Sequence, residues 1–113
     1  MEIAMKVLNL PDPIAAYFDA DKRDGHAVAR CFTSDGRVTD EGQTHVGRAA
    51  IEDWKTAASA QFAYLTEPIA LEKVGRHYRV TGRVTGTFPG SPVELRYQFM
   101  LERGRIASLV ITP

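Results

Sequence analysis

The sequence is short of the features that announce most functions. It has one cysteine, Cys31, so no internal disulfide can form and nothing points to an oxidising compartment. It has no surplus of either charge, because 14 basic and 14 acidic residues cancel. A nucleic-acid binder is expected to show a basic excess or stripe, and a membrane-surface binder a basic cluster, so neither partner is expected. No apolar run approaches the ~20 residues of a membrane span. The opening MEIAMKVLNL lacks the basic start and small-residue cleavage site of a secretory leader. The three histidines show no metal-ligand spacing, so neither zinc nor iron is expected, and no cofactor. Phosphate-binding loops, dinucleotide fingerprints and hydrolase nucleophile motifs are missing as well. The absences together lead to the expectation of a soluble cytoplasmic protein that works without metal or cofactor.

What is present suits one ordinary globular domain spanning residues 1–113. The front half carries helix signals. Asp12-Pro13 sets a capping residue before a proline at the first helical position. Behind it Ile14, Tyr17, Phe18 and Asp21 recur at helical spacing, an apolar face with a polar end. Asp24 can cap a second short helix carrying Val28, Cys31 and Phe32, and Ser34-Asp35-Gly36 is turn chemistry. Arg37 to Glu41 reads as a short strand, Gly42-Gln43 as a tight turn, and Thr44 to Val46 as the returning strand. Arg48 to about Phe62 is a third helix with Ile51, Trp54, Ala58 and Phe62 on one face.

The back half reads as strands: Tyr64–Val74, Tyr78–Phe88, Val93–Glu102 and Ile106–Ile111. Pro68 implies an edge or a bulge in the first of these. Tyr78, Val80, Gly82, Val84, Gly86 and Phe88 alternate against Arg79, Thr81, Arg83, Thr85 and Thr87. Gly82 and Gly86 would permit a bend or a close approach. Ile106–Ile111, apolar on both faces, suits a central strand. The expected fold is therefore α+β, a mostly antiparallel, strongly curved sheet with helices on its concave face.

The segments IAAYFDADKRDGHAVARCF, TSDGRVTDEG and VGRAAIEDW, with the closing YQFMLERGRIASLVI, resemble the nuclear transport factor 2-like superfamily over nearly the whole chain. That superfamily includes ketosteroid isomerases, SnoaL-like polyketide cyclases and limonene epoxide hydrolases. The resemblance implies a cone-shaped α+β barrel around a pocket for a small apolar molecule, with a homodimer formed through the convex sheet face. Arg79, Thr81, Arg83, Thr85, Glu94, Arg96 and Gln98 would supply that interface, although a solvated sheet face would look similar.

Asp40 is the sharpest candidate for chemistry. It shares a strand face with Val38, so it points inward if Val38 does. By resemblance it stands where ketosteroid isomerase keeps its general base, and an apolar pocket would raise such a carboxyl above ~3.9. A solvated place on the hairpin rim is the alternative. Tyr17 matches the tyrosine that donates to the substrate oxygen in that enzyme, while Tyr97 stands where it has a second acid. A tyrosine there donates a hydrogen bond but is no neutral carboxylic acid, which argues against steroid isomerisation itself. Both phenols could equally be core aromatics. His45, across the turn from Asp40, could complete an acid–base pair. Trp54, Phe18, Phe62, Phe88, Phe99 and Val84 are either pocket wall or core. Three functions fit: a cofactor-independent isomerase, cyclase or hydrolase using Asp40; a non-catalytic binder of small hydrophobic ligands; or a structural dimerisation domain.

Overall fold

A computed structural model describes residues 8–113. The stretch from Met1 to Val7, read above for the absence of a leader pattern, lies outside the described residues. Among the described residues the chain forms α1 (Asp12–Asp21), α2 (Gly25–Ala29), β1 (Phe32–Asp40), β2 (Gln43–Val46), α3 (Arg48–Gln61), β3 (Tyr64–Val74), β4 (His77–Gly86), β5 (Val93–Glu102) and β6 (Arg105–Thr112). The strands make one mixed, mostly antiparallel sheet in the order β2-β1-β6-β5-β4-β3. β1 and β6 run parallel, and every other neighbouring pair is antiparallel. The architecture is the expected curved α+β fold, and the sheet is open, with β2 and β3 at its edges.

Most elements form where local chemistry places them, and the differences have local causes. α1 starts one residue earlier than expected. The carbonyl of Pro11 accepts from the amides of Ile14 and Ala15 (both 2.9 Å), and Asp12 makes no side-chain cap. Asp24 does cap α2, accepting from the Ala27 amide at 2.8 Å. That helix ends at Ala29, and Phe32 opens β1 instead of extending the helical face. Ser34-Asp35-Gly36 is no free turn but an irregular stretch within β1, where the register against β6 shifts between Phe32 and Arg37. Arg48 secures it, donating from Nε and Nη2 to the Phe32 carbonyl (3.0 and 2.8 Å). The hairpin turn is Glu41-Gly42, one residue earlier than expected, because Asp40 pairs with Gln43. Both turn residues have positive φ, 52° and 77°, as the tight turns that suit strand twist require.

Pro68 lies on the edge strand β3 at a register shift between Pro68 and Ala70. β6 is interior, between β1 and β5. The helices cover one face of the sheet, where Ile14, Phe18, Val28, Phe32, Ile51, Phe99, Ile106 and Leu109 form a dry core. Burying each large apolar side chain of this set contributes about 1.5–3 kcal/mol. The opposite face carries Thr81, Thr85, Arg96 and Gln98, and two ion pairs, Arg79–Glu72 (3.3 Å) and Arg83–Glu94 (3.4 Å).

Candidate functional site

At one end of the covered face the core gives way to a cavity of ≈ 520 Å³. Its wall is assembled from α1, the β1–β2 turn, α3 and the three strands β3, β4 and β5, with Ile111 of β6. The positions of β1 decide how its first acid enters. Val38 is fully buried, so Asp40, two residues on, faces the same side. Asp40 is half-buried and borders the cavity, where its Oδ2 accepts a hydrogen bond from Trp54 Nε1 at 3.1 Å. It is therefore held by α3 and is not a loose residue of the hairpin rim.

Tyr17 comes from α1. It is 1 % exposed, its ring meeting those of Phe18, Phe32, Phe99 and Tyr97 at centroid distances of 5.1, 6.3, 5.5 and 6.4 Å. Burial pushes its hydroxyl well above the ordinary tyrosine range, reinforced by the charge of Asp21. Tyr97 from β5 is pushed up as well, chiefly by burial, with a hydrogen bond to the Thr66 side chain working the other way. Both phenols keep their protons at neutral pH, and a protonated phenol is able to donate a hydrogen bond. A glycine makes room for one of them: a Cβ at Gly82 would lie 2.7 Å from Cε1 of Tyr97.

The structure thus brings Asp40, Tyr17, Tyr97, Trp54, Phe62, Phe88 and Val84 to one cavity. Three expected residues are elsewhere. Phe18 and Phe99 belong to the filled core, 4 % and 0 % exposed, because their side chains point toward the helix–sheet seam and not toward its open end. His45 pairs with Val38 across the hairpin, so it shares the inward face. It packs on Trp54 with ring centroids 6.1 Å apart and does not border the cavity.

The residues that sequence reading passed over are Lys55, Tyr64 and Thr66, which border the cavity, and Asp21 behind them. A signal was available. Lys55 follows Ile51 by four residues and precedes Phe62 by seven, so it falls on the apolar stripe of α3. Its side chain is 5 % exposed and forms an ion pair with Asp21, whose side chain is 6 % exposed, at the polar end of the α1 face. Lys55 Nζ also donates to the Tyr64 hydroxyl.

A second cleft of ≈ 520 Å³ lies outside, between α1, α2 and the β5–β6 turn. Asp19, Arg23, Asp24, His26, Arg30 and Arg105 line it with Cys31. Pro13, Ala16 and Ala27 are its apolar lining, and it has no aromatic wall like that of the first cavity. Burial raises the Cys31 thiol above its usual value, so this sulfur is a poor nucleophile. Among the described residues no three His, Cys, Asp or Glu side chains are grouped as metal ligands, and no helix is long and apolar enough to cross a membrane.

No family model and no curated protein sequence matches the chain. Solved structures do. The chain is 41 % identical to a proposed polyketide cyclase from Sinorhizobium meliloti, with 96 % of this chain and 100 % of that one covered and a TM-score of 0.88. The chain belongs to the SnoaL-like, nuclear transport factor 2-like superfamily. Two further members of this fold are more distant. One is a protein of ketosteroid isomerase-like fold from Catenulispora acidiphila in complex with trimethylamine, 20 % identical over 93 % of this chain and 87 % of that one, TM-score 0.82. The other is SalBIII, an epoxide hydrolase/cyclase-like enzyme of pyran ring formation in the polyether salinomycin, 20 % identical over 88 % and 86 %, TM-score 0.74. SnoaL-like folds support many chemistries, and what distinguishes one member from another is the set of side chains around its cavity.

Proposed function

We propose that this SnoaL-like protein is a cofactor-independent isomerase, cyclase or hydrolase acting on a small, largely apolar substrate, with Asp40 as general acid or base. The observation that carries the reading is the convergence of the Asp40 carboxylate and the buried phenols Tyr17 and Tyr97 on one cavity with a partly apolar wall. The hydrogen bond from Trp54 holds Asp40 Oδ2 in place, leaving Oδ1 to take a proton from a carbon beside a carbonyl, or from a hydroxyl. Negative charge then collects on the substrate oxygen, where Tyr17 and Tyr97 are suited to donate. Donors fixed in a water-poor site stabilise such charge without reorganising. The polyketide cyclase relative supports a carbonyl-bearing substrate.

Residues 1–113 act as one domain in this proposal, in the cytoplasm, with a homodimer through the charged sheet face. The shared core of front-half helices and back-half strands supports the first point. The lone Cys31 supports the second, and the mix of threonines and charges on the open face the third. Sedimentation equilibrium tests the dimer.

The decisive experiment follows exchange of protons beside the carbonyl of small cyclic ketones in heavy water by NMR. The expected outcome is accelerated exchange with the wild-type chain and a loss of about 10²–10⁴-fold in Asp40→Asn. Exchange at the wild-type rate in Asp40→Asn removes Asp40 from the chemistry. Saturable ketone binding without exchange would make the protein a ligand-binding module.

A further inference from the structure

The cavity has a cationic side that the reaction outlined above does not use. Lys55 is 4 % exposed yet borders the cavity. Its ammonium lies 4.5 Å from the Tyr64 ring centroid and 5.6 Å from that of Trp54. An ammonium has three N–H donors. One is directed at the Tyr64 hydroxyl. Asp21 Oδ1, shielded from solvent, pairs with Nζ and occupies a second. The charge is therefore compensated while donor capacity is left over, on a residue that faces a cavity large enough for a ring compound. A lysine kept only as core filler would be better replaced by an apolar residue of similar volume, since a buried ion pair is weak evidence of stabilisation.

We propose that Lys55, backed by Asp21 and flanked by Tyr64, is the subsite for an anionic oxygen on a planar phenol or enol ligand. This rests on the reading of the cavity as a pocket for a small apolar molecule, and it narrows that molecule to one carrying an acidic hydroxyl. The charges bordering the cavity give the ligand a direction. Asp40 and Glu41 stand at the β1–β2 turn and repel a second anion there, whereas Lys55 on α3 attracts it. The apolar body then rests on Phe62, Phe88 and Val84. When the ligand ionises in place, its hydroxyl proton leaves to the solvent and its oxygen takes a hydrogen bond from Lys55.

The test uses para-nitrophenol, whose yellow anion is read by visible absorbance, with occupancy read from quenching of Trp54, the one tryptophan of the chain. On the wild-type protein the bound dye should ionise with a constant raised about tenfold or more over the free dye, as a charge-assisted hydrogen bond implies. Tyr64→Phe, which leaves the Lys55–Asp21 pair intact, should keep that shift. The double variant Asp21→Asn with Lys55→Met, which removes both charges together, should abolish the shift while the dye still quenches Trp54. Wild-type-bound dye that titrates like free dye overturns the cationic subsite and leaves the pocket standing. A dye that does not bind overturns the pocket reading and this inference with it. Should the double variant fail to fold, Tyr17→Phe with Tyr97→Phe decides the matter: a shift kept in it belongs to Lys55, and a shift lost in it belongs to the phenols that share the cavity and overturns the cationic subsite.

Discussion

The two ends of the covered sheet face share α1, β1 and β5 and differ in what those elements present. At the filled end Phe18, Phe32, Phe99, Ile106 and Leu109 interlock without a polar atom among their side chains. At the open end Tyr17, Tyr97, Thr66, Lys55, Tyr64 and Asp40 surround a cavity. Chain neighbours divide between the two: Tyr17 faces the cavity and Phe18 does not, and Tyr97 lies two residues from Phe99 on one strand face. A hydroxyl or charge at the open end must find a partner or a ligand. The phenyl and alkyl groups of the filled end need only contact. One end is therefore built for stability, the other for recognition, and substitutions should separate the two.

The largest effects come from opening each end in its own currency of forces. Lys55→Met alone strands Asp21 as a buried carboxylate and should cost about 3–5 kcal/mol in urea unfolding. Pairing it with Asp21→Asn should recover most of that loss. If the single and double variants were equally unstable, the charge pair would not be the cause. Phe99→Ala in the filled end should cost a similar 3–5 kcal/mol, roughly, through the void it leaves. Phe88→Ala, half-exposed beside an existing cavity, should cost about 1 kcal/mol or less. Equal losses at Phe99 and Phe88 would erase the distinction between the ends.

A smaller effect is tied to pH. Tyr17 and Tyr97 hold their protons more tightly in the folded protein than an unfolded tyrosine, which ionises near ~10. Above that value the unfolded chain binds fewer protons, so stability falls as pH rises, by about 1.4 kcal/mol per pH unit for each phenol. Unfolding curves at about pH 9 and about pH 11 should show the fall in the wild type and a shallower one in the double variant Tyr17→Phe, Tyr97→Phe. An unchanged slope would mean that neither hydroxyl is sequestered. A similarly small effect to that of Phe88→Ala is expected of Trp54→Phe, which removes the donor to Asp40 and should cost about 0.5–1.5 kcal/mol. Its sharper signature is a changed Asp40 carboxyl resonance in NMR.

Much of this was legible in the residues. Alternation along Tyr78–Phe88 and Val93–Glu102 marked strands in nearly the right places, and Pro68 marked the irregular edge. Asp40, Tyr17 and Tyr97 came from strand facing, helix facing and family resemblance. Lys55 was passed over because a lysine on an apolar stripe is ordinarily a long stem reaching for water. Only the approach of Asp21 from another helix makes its burial tenable. Ser34-Asp35-Gly36 has the composition of a turn, and it is the pairing of β1 with a strand more than 60 residues later that draws it into the sheet.

Local chemistry, then, determined the elements: caps, turns and alternation act over a few residues and are written in sequence order. It also determined the absence of disulfides and of a charge surplus. Tertiary structure decided the site. Which of two adjacent aromatics meets a cavity, and whether a lysine finds a buried aspartate, depends on how helices seat on a sheet whose neighbours are far apart along the chain. Gly82 links the two levels. Its place on a strand face is plain from alternation, but its purpose, room for the ring of Tyr97, exists only once β5 lies beside β4.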